Sequence, residues 1–227
     1  MSDKMYLLLA IICSIIPAAA ACIYLNNDKI GKASGVEKLR AMFALNTGET
    51  IAVIASVLLG VAAYVVQHYV YGASHSNFMC LRWATVTALL VPIAWIDFKK
   101  WIIPNKLLFC GLCMAAILVL LDVLTSGDDK RTVLLSAIGG AAFGAGILLI
   151  CSFLVKGGMG AGDIKMYAVI GLFCGLTGTF NAMLYTMIVC LIVGVILMII
   201  RKKKIKDQMQ MAPFALLGVL IAVAIGG

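Results

Sequence analysis

Charge is scarce in this chain. Of its 227 residues 12% are charged and 63% hydrophobic, where a soluble domain is nearer a quarter charged and half apolar. An ordinary soluble domain is therefore excluded. Histidine is almost missing, with two residues against eight cysteines. Most of those cysteines, among them Cys13, Cys22, Cys110, Cys113, Cys151 and Cys190, lie inside apolar blocks. The one CxxC, Cys110-Gly-Leu-Cys113, has no second pair and no neighbouring histidine, so it does not read as a zinc site. Such thiols are expected to pack as small apolar side chains, and no metal or cofactor is expected. Basic residues are not interleaved with aromatics, so the net charge of +8 does not indicate nucleic-acid binding. No Gly-Lys-Ser/Thr ending marks a phosphate loop. No repeat of fixed period supports an inverted-repeat transporter. At the N-terminus Asp3 weakens the basic region that a signal peptide needs. Ala19-Ala20-Ala21-Cys22 faintly resembles a lipoprotein cleavage site, but a retained first span is the expectation.

What is present is long apolar blocks. They run through 6–24, 51–70, 79–96, 107–124, 133–155, 164–178, 180–200 and 213–227. About 20 helical residues cross a hydrocarbon core, and most blocks reach that length. The expected fold is all-α, a polytopic transmembrane bundle of about eight spans forming one membrane-embedded domain over 1–227. If every block crosses, loops 26–50, 97–106, 156–165 and 201–212 share one side and hold 14 of the 18 basic residues. Positive charge concentrates in cytoplasmic loops, which predicts that side as cytoplasmic and both termini as outside. The sixth block is short, yet it must cross, or Arg201–Lys204 would emerge outside. Gly140 and Gly144 have the spacing that lets helices approach closely.

Of the ten acidic residues, Asp3, Asp28, Glu37, Glu49, Asp128, Asp129 and Asp207 fall in loops or at the tail. Asp122 is expected to cap the outer end of the fourth span. Asp97 and Asp163 remain, each where an apolar block meets a cytoplasmic loop. An ionisable group at membrane depth is a functional candidate. Asp163 ends Gly157-Gly158-Met159-Gly160-Ala161-Gly162-Asp163. Those glycines permit unusual dihedrals and close approach of another chain. Irregular backbone at that depth must be covered by protein or water, which implies a cavity. Asp163 falls at an expected helix N-cap, where the dipole and Lys165 would favour its ionised form. Pro92, before Asp97, is expected to kink its span or open the last turn. Pro104 ends the following loop, and Asn105 is placed to cap the next helix. Two buried acids also fit a proton- or cation-coupled transporter, which explains the acids but not the glycine loop. An inert scaffold would need neither acid.

These segments resemble the type IV prepilin peptidase family. The likeness rests on Asp97 with Ile103-Pro104-Asn105, on Gly160-Ala161-Gly162-Asp163 with Lys165, and on Ala212-Pro213-Phe214 at the last helix. It spans about residues 50 to 227 in the family's order. The resemblance implies an intramembrane aspartyl endopeptidase with Asp97 and Asp163 as catalytic pair. Gly160, Gly162, Lys165, Ile103, Pro104, Asn105 and Pro213 would form the active-site loops. It also implies a prepilin or pseudopilin substrate with a short basic leader, cut on the cytoplasmic side of a prokaryotic cytoplasmic membrane. The basic inner face would contact anionic lipid. Many longer members carry a larger cytoplasmic region with paired CxxC motifs. Loop 26–50 has neither Cys nor His, so the N-methylation of bifunctional members is not expected. Signal peptide peptidases and presenilins place a Tyr before the first Asp, whereas Ile96 stands here.

Overall fold

The computed structural model describes residues 3–26, 46–71, 76–125, 130–154, 160–200 and 209–226. Loop 26–50 beyond Asn26 and before Asn46, the glycines Gly157 and Gly158, Asp128 and Asp129, and the run Arg201–Lys206 lie outside them. Among the described residues seven helices follow in order: α1 Asp3–Leu25, α2 Thr47–Tyr71, α3 Asn77–Lys100, α4 Asn105–Thr125, α5 Lys130–Leu154, α6 Ala161–Ile199 and α7 Ala212–Ile225. Six of them, α1 to α6, are long and apolar enough to cross a membrane. There is no strand among the described residues.

Helix α3 is the axis of the bundle. Its best window has a mean hydropathy of 1.6, the lowest of the six, yet nearly all its residues from Phe78 to Asp97 are buried. The reason is its neighbours. A helix facing lipid must be apolar on its outer surface, whereas one enclosed by other helices can carry polar groups if they find partners. Thr85 and Thr87 bond back to the carbonyls of Leu81 and Trp83. Pro92 sits inside α3, and the helix runs unbroken through it to Lys100, so the expected opening of the last turn is not seen.

Helix α6 is really two arms. Its backbone leaves helical geometry at Gly175, with φ 70° and ψ −174°. A Cβ placed on Gly144 of α5 would lie 2.7 Å from the Tyr167 carbonyl oxygen and 3.1 Å from Thr179 Cγ2. In a straight helix those two residues would stand about 18 Å apart, so the chain doubles back between them. The sixth and seventh apolar blocks are thus the two arms, and among the described residues each of the eight apolar blocks is helical, approximately consistent with the expected eight spans. The reversal lies at Gly175, not between Gly178 and Phe180, because Gly175 is the residue that can hold this dihedral pair. Helix α5 supports the turn. Ser136 Oγ accepts from the Leu176 amide at 3.2 Å, one of the donors that a starting helix leaves open. Gly140 meets the backbone of Gly171 and Gly175 with no room for a side chain. The small face of the fifth span is therefore a packing face.

Asp122 departs from expectation. It is not a solvated cap but is 3% exposed, and its Oδ2 lies 3.1 Å from Arg82 Nη1. Arg82, one of the four basic residues outside the four basic loops, is itself buried in α3. The two groups neutralise one another inside the bundle, which neither could do alone.

Candidate active site

Asp97 lies one turn before the C-terminus of α3, where the dipole of its own helix disfavours a negative charge. Another helix answers this. Helix α7 opens at Ala212 with Pro213 in its first turn, a position suited to a residue without an N–H. The Ala212 amide donates to Asp97 Oδ2 at 3.3 Å, so the positive end of α7 faces the carboxylate. Gln210 Nε2 donates to the carbonyls of Asp97 at 2.8 Å and Phe98 at 3.0 Å, closing the end of α3. Trp101 follows in the left-handed conformation, φ 56°, and its amide returns to the Asp97 carbonyl at 2.8 Å. Asp97 is 6% exposed.

Asp163 occupies the third position of α6. The N-cap is Gly160, not Asp163 as expected. The difference is local: the Asp163 carboxylate reaches back to the Gly160 amide at 3.3 Å, while the Asp163 amide bonds the Gly160 carbonyl at 3.1 Å. This is one half of a capping box, the bond from the third residue back to the N-cap amide, with an aspartate in the role usually taken by Glu or Gln. Asp163 is half-buried.

The two segments meet. A Cβ on Gly162 would lie 3.0 Å from Ile103 Cβ, so only a glycine lets the start of α6 sit this close to the 101–104 loop. Lys165 Nζ donates to Asn105 Oδ1 at 3.3 Å. The expectations that Lys165 serves Asp163 and that Asn105 caps α4 are both corrected here, since these two side chains engage each other. The Pro104 carbonyl instead accepts from the amides of Leu107 and Leu108 at 3.1 and 3.2 Å. With α4 and α6 joined at their starts, Asp163 stands beside the 101–104 loop that follows Asp97. Gly160, Gly162, Ile103, Pro104, Asn105, Lys165 and Pro213 all border this region. Gln210 was missed by sequence reasoning. It is a polar residue beside a polar run, and its bonds span more than a hundred residues of chain, so no local pattern marks it.

No group of three or more His, Cys, Asp or Glu able to hold a metal ion occurs among the described residues. The fold and this region define a class: a multi-pass membrane protein in which the segments carrying two acidic residues meet at one end of its helices. Residues 84–195 match the Type IV leader peptidase family. The chain is 27% identical over 139 residues to the prepilin leader peptidase/N-methyltransferase of Bacillus subtilis (strain 168). That match covers 61% of this chain and 53% of the relative, so the chain spans about half the length of the curated relative it matches. No solved structure matches the chain. The family match lends the transporter reading no support.

Proposed function

We propose that the chain is an intramembrane aspartyl endopeptidase that removes the short basic leader of prepilin-like proteins, with Asp97 and Asp163 as its catalytic pair. The observation that carries this reading is the convergence of two helix starts on two carboxylates, α7 on Asp97 and the capped turn of α6 around Asp163. Two such groups cannot both ionise cheaply, so the pair shares one proton. The ionised carboxylate takes a proton from water as that water adds to the scissile carbonyl. The protonated one hydrogen-bonds the carbonyl oxygen, stabilises the tetrahedral diol, and the pair returns a proton to the leaving amine. The dyad titrates as a unit, and acid and base roles belong to the pair. Gly160, exposed at the start of α6, leaves backbone room for an extended substrate beside the Asp163 carboxylate. Co-expression with candidate prepilins tests the reading, with a leader-dependent gel shift as the positive result.

The site is assigned to the cytoplasmic side from the distribution of basic residues, with both termini outside and anionic lipid against the inner face. In a cysteine-free background, Lys99→Cys and Lys165→Cys are expected to resist an impermeant thiol reagent in intact cells, and Lys130→Cys to react. Labelling of position 165 would put the site on the other face.

Cleavage without methylation is expected of this chain alone, because the 26–50 loop lacks the Cys and His of longer members. Purified protein, substrate and S-adenosylmethionine should yield a mature product of unmodified mass. A gain of one methyl on the new N-terminus, seen by mass spectrometry, overturns this.

A further inference from the structure

The helices that start at the two aspartates are the two short ones. The first arm of α6, Ala161 to Cys174, and α7 have 14 residues each, about 21 Å of rise, against a hydrocarbon core of about 30 Å. Each is therefore shorter than the long helices packed beside it. The last carbonyls of a helix lack partners, and at membrane depth water is not at hand to supply them.

The neighbouring long helices supply donors instead. At the end of α7, Gln67 Nε2 donates to the Val223 carbonyl at 3.0 Å and Tyr71 Oη to the Ala224 carbonyl at 2.7 Å, both from α2. At the end of the first arm, Arg82 Nη2 of α3 donates to the Leu172 carbonyl at 2.9 Å. Arg82 Nη1 donates to Asp122 Oδ2 at 3.1 Å, and Ser76 Oγ donates to Asp122 Oδ1 at 3.1 Å. Arg82 and Asp122 are each 3% exposed.

A buried ion pair is a poor device for stability alone, because apolar residues of similar volume often serve as well. What such residues cannot do is donate to Leu172. That carbonyl lies nine residues beyond Asp163, about 14 Å along the helix. A bond there fixes how far the arm, and the carboxylate at its start, can slide along the axis.

We propose that Arg82, oriented by Asp122, is a positioning residue that sets the axial height of Asp163 from the far end of its helix, and that Gln67 does the same for α7 and its contact with Asp97. The effect on catalysis rests on the dyad reading above; the effect on geometry does not. Full-length protein in detergent micelles tests both. The double variant Arg82→Met/Asp122→Leu removes the pair without leaving a lone charge. It should insert and melt like the parent while kcat on a prepilin-type peptide falls about 10- to 100-fold, the scale of a misplacement near 1 Å, with KM nearly unchanged. Arg82→Lys, which keeps a cation beside Asp122, should recover part of the loss. Gln67→Leu should lower kcat in the same way.

A second readout needs no cleavage. In a cysteine-free background, Asn105→Cys with Lys165→Cys, whose parent side chains touch, reports the seating of the α6 start, and cross-linking of the pair by a short bifunctional thiol reagent should be severalfold slower once Arg82 and Asp122 are replaced. Parent-like kcat and parent-like cross-linking in the double variant would overturn the proposal. So would failure of that variant to insert, which would make the pair a folding requirement. If the parent cleaves no prepilin, the peptidase reading fails while the cross-linking rate still decides the positioning role.

Discussion

Asp97→Asn and Asp163→Asn are each expected to abolish leader cleavage while expression and insertion stay at the parent level. The amide keeps an oxygen acceptor, so the Ala212 amide at position 97 and the Gly160 amide at position 163 retain their partners. What is lost is the shared proton. General acid–base catalysis contributes about 10²–10⁴-fold per role, and each variant should lose at least that much. The double variant should be little worse than either single one, because groups that act together lose their effect together. Asp128→Asn and Asp129→Asn serve as controls and should cleave normally, and EDTA should have no effect. Asp122→Asn is not a neutral control, since it removes the charge facing buried Arg82. Substantial cleavage by either single variant at position 97 or 163 would rule out the dyad.

Gly175→Ala should lose stability through two separate effects of a single methyl group. The backbone at φ 70° and ψ −174° lies in a region that is nearly glycine-only and costs about 1–3 kcal/mol for other residues. The added Cβ would also lie 2.5 Å from Ser136 Oγ, the atom that accepts from the Leu176 amide. Overpacking of this kind adds about 1–3 kcal/mol. Unfolding in mixed micelles, followed by tryptophan fluorescence, should show the sum of the two. Adding Ser136→Gly should relieve the overlap and leave the dihedral strain, so partial recovery is expected. A Gly175→Ala variant as stable as the parent would mean that the chain does not reverse at this residue.

The sequence was legible where the physics is local. Apolar blocks announce helices because the cost of unpaired backbone in lipid leaves few alternatives, and their eight stretches reappear as six unbroken helices plus the two arms of α6. Asp97 and Asp163 stood out because acids are rare at block ends. The reversal point was less clear: Gly171, Gly175 and Gly178 all lie in one apolar stretch, and only the contact with Ser136 and Gly140 selects the second. Asp122 looked like an end cap because its partner, Arg82, lies forty residues earlier on another helix. Gln210, Gln67 and Asn105 belong to the same kind. Each makes its bond across a distance in sequence that composition and periodicity do not report.

The enclosed position of α3 has a consequence for how the chain enters the membrane. Of the six long helices it is the one lipid accepts least readily by itself, because its best window is the least apolar and Arg82, while unpaired, opposes insertion, by about 2.5–3.5 kcal/mol at a helix centre and by less toward an end. The counter-charge for Arg82 arrives only with Asp122, forty residues later in synthesis, a delay of about 2–8 s at ordinary elongation rates. Helices α3 and α4 are therefore best released sideways into the bilayer as a pair, with the arginine and aspartate already joined. Slowing translation between them, with rare codons for example, would prolong the interval in which the axis of the bundle has no suitable solvent.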